Sequence, residues 1–280
     1  MELITGRLSG AVVDPDSGRA PAGWLQGYVL AFLVAEVAGL LLGPVVGSVL
    51  YAGICFTLIN HYLTRVLAAG SPRDAGPRAG LVLPVLLVLG LVAASRLAAM
   101  STVVLEPAWY GGYAFAAIPL VAGLLYLHRT RGAFDLGDWP ALGRPDRHQV
   151  AIAALGVPLA ALAFAAGLTR PELDWWDLGW AIYLGVPLFA LSGAAEELLY
   201  RGLLQPMLGR LLGTSGIVAA TVVYTITHAD IDPGTLIILV GANIAFGQLV
   251  RRTGSLTGVC AAHAVLNVVL GLVLPYWWPH

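Results

Sequence analysis

The sequence predicts an all-α, polytopic transmembrane bundle of about eight to nine spans, and three observations carry that prediction. Hydrophobic residues make up 58% of the 280 positions and charged residues only 11%, with a mean hydropathy of +0.81. Soluble domains carry about 25% charged residues, so this balance belongs to a chain that faces lipid. The apolar residues also fall into runs near the length of about 20 residues that a membrane crossing needs, separated by Pro- and Gly-rich breaks. A net charge of −1 offers no basic field, which excludes nucleic acid as a partner.

Taken in order, the runs predict helices near 24–43, 47–69, 80–104, 112–128, 150–168, 179–212, 214–229, 234–250 and 254–275. Breaks are expected at Gly43-Pro44, within residues 70–78, around Glu106-Pro107, at 129–149, at 169–178 and at 230–234. Residues 1–23 lack a charged start followed by an apolar core, so no cleavable signal is expected and the first span serves as the targeting signal. Two regions follow: an N-terminal transmembrane region, 1–149, of about four spans ending in a cytoplasmic linker at 129–149, and a C-terminal core, 150–280.

Loop charges set an expected orientation. Arg73 and Arg78, then Arg129, Arg131, Arg144 and Arg147, then Arg251 and Arg252 alternate with loops bearing Glu106, then Glu172, Asp174 and Asp177, then Asp230 and Asp232. The positive-inside rule places the N-terminus in the cytoplasm, with Trp175, Trp176, Trp180, Tyr276, Trp277 and Trp278 at the outer interface. Cys55 and Cys260 lie inside apolar runs and read as buried free thiols. Arg96 is an ionised residue well inside the N-terminal spans; it either snorkels to an interface or pairs with Glu36. His61, near the end of the second span, reads as a packed or interfacial histidine.

The candidate chemistry lies after residue 190. Glu196, Glu197 and Arg201 stand within six residues of an apolar helix, where each ionised group costs at least a few kcal/mol. Glu197 and Arg201 are four apart and form a structural ion pair, while Glu196 points about 100° away and is left available. Tyr224 and His228, and likewise His263 and Asn267, share helix faces at i and i+4. Counting about 1.5 Å per residue from the turns near 213–216 and 252–254 brings Glu196, His228, His263 and Asn267 to a common depth. That set suits water activation: Glu196 as general base, His228 holding the same water, and His263 with Asn267 donating to the oxyanion of a tetrahedral intermediate. Amide hydrolysis is the reaction such a set supports. A serine elbow is missing, and Cys260 is a weak nucleophile candidate.

The motifs Glu196-Glu197-x-x-x-Arg201, Tyr224-x-x-x-His228 and His263-x-x-x-Asn267 resemble the CPBP family, the CAAX-prenyl-protease and bacteriocin-processing intramembrane endopeptidases also called Abi. The resemblance covers roughly residues 180–275, with Tyr224 where the family usually has Phe. It implies a glutamate-dependent intramembrane protease in which Glu196 and His228 activate water, Glu197 and Arg201 order the helix, and His263 with Asn267 forms the oxyanion hole. The implied substrate is a membrane-anchored protein or peptide in a bacterial or archaeal plasma membrane, and no cofactor is expected. A zinc site built from Glu196, His228 and His263 is the alternative, disfavoured because each helix offers a single His. Two other classes compete: a proton-coupled transporter, which repeat symmetry would reveal, and a non-catalytic immunity or scaffold protein, which has no need of the polar set.

Overall fold

The computed structural model describes residues 23–69, 76–104, 109–134, 142–143, 145–166, 179, 181–228 and 233–274. The described elements are all helical. α1 (Gly23–Leu42) and α2 (Pro44–Ala69) form a hairpin closed at Gly43, whose φ of 101° is a left-handed conformation that favours glycine. α3 (Gly76–Val104) packs on α2, and α4 (Trp109–Phe134) packs on α3; each carries an internal proline, Pro84 and Pro119. The expected fifth span divides into α5 (Arg147–Ala154) and α6 (Gly156–Ala165). Asp146 caps α5 by accepting from the backbone N–H groups of His148 and Gln149.

The expected sixth span is interrupted rather than uniform. A π-helical turn, Ala181–Gly185, leads into α7 (Val186–Glu197); a second π stretch, Leu198–Leu204, follows, and then α8 (Gln205–Leu212). Gly213, at φ 62°, ends α8 and turns the chain back into α9 (Gly216–Ile226), so the turn falls where the glycines predict it. α9 stops at Ile226, shorter than expected, and leaves Thr227 and His228 in a closing turn held by His228 N–H to the Thr225 carbonyl. α10 (Pro233–Thr253) and α11 (Thr257–Val268) complete the bundle, with a π turn at Val269–Val273.

Six described helical segments are long and apolar enough to cross a membrane, and Ala117–Arg129 and Thr257–Val273 are shorter apolar helices. One of the six, Val186–Ile226, contains the reversal at Gly213. Outward-facing side chains such as Leu41, Phe56, Leu67 and Ile237 are exposed and apolar, as lipid-facing residues are. The largest core joins Phe32, Tyr51, Leu86 and Leu89 of the N-terminal spans to Leu199, Leu203, Leu204 and Tyr224. α11 packs against α7, α5 and α6, and α4 packs against α7. His61 lies between Tyr28, whose hydroxyl is 3.2 Å from Nδ1, and Arg65. Cys260 is buried and Cys55 partly so, and both are free thiols. The interfacial tryptophans and Tyr276, together with the loop residues Arg73, Glu106, Glu172, Asp174, Asp177, Asp230 and Asp232, lie outside the described residues.

Candidate active site

Glu196 and Glu197 end α7, where the hydrogen-bond pattern widens from α to π. Such wide turns inside helices are frequent at functional sites. The two carboxylates then diverge. Glu197 is 1% exposed and lies 3.1 Å from Nη1 of Arg201, the pair its spacing predicts. Its Oε1 also accepts from His263 Nδ1 at 2.8 Å, a contact across 66 residues that no local spacing foretells. Arg201 Nη2 in turn donates to Asn243 Oδ1 on α10, which fastens the π stretch after α7 to a third helix. Glu197 is therefore a junction between Arg201 and His263, and not the partner of Arg201 alone.

Glu196, 21% exposed, meets the histidines. Its Oε2 is 3.7 Å from His228 Nε2 and 3.7 Å from His263 Nε2, and it accepts a 3.3 Å hydrogen bond from the Tyr224 hydroxyl. Both 3.7 Å separations exceed a direct hydrogen bond, and a shared water is the usual bridge at that range. His228 is fixed from behind. Its Nδ1 lies 2.9 Å from the Tyr224 carbonyl, which only accepts, so Nδ1 carries a proton and Nε2 faces Glu196. Its ring stacks on that of Tyr224 at 4.1 Å and 14°, and Tyr200 meets Tyr224 edge-on while bonding Thr227. The hydroxyl that distinguishes Tyr224 from Phe thus touches the candidate base. His263 is held in a similar way: its Nδ1 donates to Glu197, which turns Nε2 toward Glu196.

Asn267 is a turn beyond His263, and its Nδ2 donates to the Phe189 carbonyl at 3.4 Å. The α7–α11 interface there is tight. A Cβ on Gly193 would sit 2.9 Å from the carbonyl carbon of His263 and 3.0 Å from the Ala264 nitrogen. A cavity of about 50 Å³ is lined by Glu196, Tyr200, Thr227 and His228, and on its N-terminal side by Arg96 of α3. His263 and Asn267 are not among its lining residues. Cys260 points elsewhere, with its Sγ 3.7 Å from the Ala194 carbonyl. The contributions of Tyr200, Thr227, Asn243 and Arg96 were not legible in the motifs; Arg96 read only as a residue that snorkels or pairs with Glu36.

Among the described residues no group of three or more His, Cys, Asp or Glu side chains is disposed to hold a metal ion.

Helices, lipid-facing apolar surfaces and a sequestered carboxylate–imidazole cluster define a polytopic helical membrane protein with a polar site enclosed among its helices. Residues 178–269, about a third of the chain, match the model of a family described as type II CAAX prenyl endopeptidase Rce1-like. The match spans Glu196 through Asn267 and bears out the resemblance of this segment to the CPBP family, an endopeptidase family. No curated protein and no solved structure matches the chain.

Proposed function

We propose that the chain is an intramembrane endopeptidase that hydrolyses a peptide bond of a membrane-associated protein or peptide with water activated by Glu196 and His228. The observation that carries this reading is the convergence of a partly exposed carboxylate and a tautomer-fixed imidazole on one small cavity. A cavity needs about 10–15 Å³ to hold one water, so 50 Å³ has room for the nucleophile. Glu196 takes a proton from the water as its oxygen bonds the scissile carbonyl carbon. When the C–N bond breaks, that proton passes to the leaving nitrogen.

His263 and Asn267 are assigned to the developing oxyanion. Held through Nδ1 by Glu197, His263 donates from Nε2 in its doubly protonated form, and Asn267 carries a second Nδ2 hydrogen beyond the one on Phe189. Arg201, held by Asn243, keeps Glu197 in place behind His263. No metal enters the scheme.

The test is Glu196→Gln in purified protein in nanodiscs, assayed with a fluorophore–quencher peptide bearing a prenylated CAAX tail, the substrate class in the matching family's description. Turnover should fall by at least about 10²-fold with an unchanged melt, since a positioned base contributes about 10²–10⁴. Turnover within about tenfold of wild type would remove Glu196 as the base.

A further inference from the structure

The end of α9 is closed by side chains that the proposed reaction does not use. In a continuing α-helix the Tyr224 carbonyl would accept from the His228 backbone N–H; here that N–H goes to the Thr225 carbonyl at 3.1 Å. The carbonyl left over accepts twice from the closing turn, from Thr227 Oγ1 at 2.8 Å and from His228 Nδ1 at 2.9 Å. Because the Thr227 hydroxyl hydrogen is directed there, Tyr200 is the donor in the 3.0 Å contact between its hydroxyl and Thr227 Oγ1. Thr227 Oγ1 also lies 3.3 Å from His228 Nδ1, a second and longer backstop behind the imidazole. Thr227 is 0% exposed and Tyr200 3%.

Ending a helix does not require this arrangement: at Gly213 a left-handed glycine ends α8 with no side chain involved. The donor at the head of the chain comes instead from the segment that carries the base, since Tyr200 stands four residues after Glu196. Glu196, Tyr200, Thr227 and His228 all line one cavity. The Tyr224 hydroxyl ties the two segments at the base, and the Tyr200–Thr227 bond ties them behind the imidazole. We infer that Tyr200 and Thr227 are positioning residues: the Tyr200 hydroxyl, acting through Thr227 Oγ1, holds the His228 ring with Nε2 aimed at Glu196. The 3.7 Å gap between Nε2 and Glu196 Oε2 suits a shared water only while the ring keeps its angle. Without the Thr227 hydroxyl, His228 Nδ1 loses its second acceptor and the buried Tyr200 hydroxyl loses its acceptor. Any shift of the Tyr200 ring passes to Tyr224, which it meets edge-on at 4.9 Å, and so to the imidazole stacked on Tyr224.

The inference rests on the proposed protease reading, and the experiment separates the two. Full-length Thr227→Val, Thr227→Ser, Tyr200→Phe and the double variant Y200F/T227V are assayed in nanodiscs for kcat and KM on the prenylated fluorogenic peptide. The ring itself is read by ¹⁵N NMR of histidine-labelled protein, with the His228 signals assigned by their loss in His228→Gln. Thr227→Val keeps the side-chain shape and should lower kcat about tenfold, the effect of one buried hydrogen bond, with KM within about twofold of wild type. It should also move the His228 ¹⁵N signals. Tyr200→Phe should act similarly, and Thr227→Ser, which keeps the hydroxyl, should stay near wild type. The double variant should lose no more than the worse single, because both changes cut one chain of bonds. A kcat within about twofold of wild type in T227V, unmoved ¹⁵N signals, or losses that multiply in the double variant would overturn the assignment. Where T227V fails to fold, Tyr200→Phe decides alone, since it keeps the ring and its contact with Tyr224. Failure of the protease reading is a separate result, turnover that E196Q leaves intact, and the ¹⁵N signals still report whether Tyr200 and Thr227 hold the ring.

Discussion

Replacing Glu197 by Ala removes one carboxylate oxygen from two partners at once. Arg201, 3% exposed, loses its 3.1 Å ion pair, and His263 loses the 2.8 Å acceptor that fixes its ring. Breaking a buried pair by deleting one member typically costs about 3–5 kcal/mol, because the other charge stays buried. At about 2–4 °C per kcal/mol for a chain of this size, the melt in detergent should fall by on the order of 10 °C. The double change Glu197→Leu with Arg201→Leu removes both charges and should recover most of that loss. Activity should not follow stability: His263 remains untethered in the double variant, so kcat should stay at least about tenfold below wild type. The assay pairs a thermal melt with single-turnover cleavage of the prenylated probe peptide. A double variant that melts no higher than the single refutes the ion pair. One that regains full kcat refutes the role given to the Glu197–His263 contact.

Tyr224→Phe removes a 3.3 Å hydrogen bond to Glu196 but keeps the stack on His228, so kcat should fall by less than about tenfold, measured on the same peptide. Gly193→Ala should push α7 from α11 against backbone atoms and abolish cleavage, whereas Gly53→Ala, with nothing within 4 Å of the new methyl group, should melt at or slightly above wild type. Exhaustive chelation should leave turnover intact; activity that stops with chelator and returns with zinc alone would move Glu196, His228 and His263 into a metal centre.

Depth was legible in the sequence and azimuth was not. Counting residues from the turns brought Glu196, His228 and His263 to one level because a helix rises steadily along its axis. The same count says nothing about rotation when a helix widens, and the π stretch at Leu198–Leu204 falls immediately after the carboxylates. Glu197 was read through its i+4 neighbour, since local spacing exposes local partners; its bond to His263 depends on how α7 and α11 pack. Tyr224 looked like a neutral replacement for Phe because a motif records residue type and not the atom that its hydroxyl touches. The pairing of Arg96 with Glu36 was within reach, because two lone opposite charges in apolar helices have few other partners.

The widened stretch also sets a rule for insertions and deletions. It is pinned at both ends: Glu197 is held by His263 on one side, and Gln205 Nε2 donates to the Gly247 carbonyl at 3.1 Å on the other. Deleting one residue between these anchors lets Leu198–Leu204 tighten toward an ordinary α-helix, whose larger rotation per residue offsets most of the turn lost with the residue. A second deletion finds no such slack and turns one anchor by about 100° relative to the other, so the stretch acts as a store of one spare residue. A deletion scan along 186–212 should therefore find single deletions between 198 and 204 better tolerated in the thermal melt than single deletions in the α-helical flanks, and double deletions there destructive.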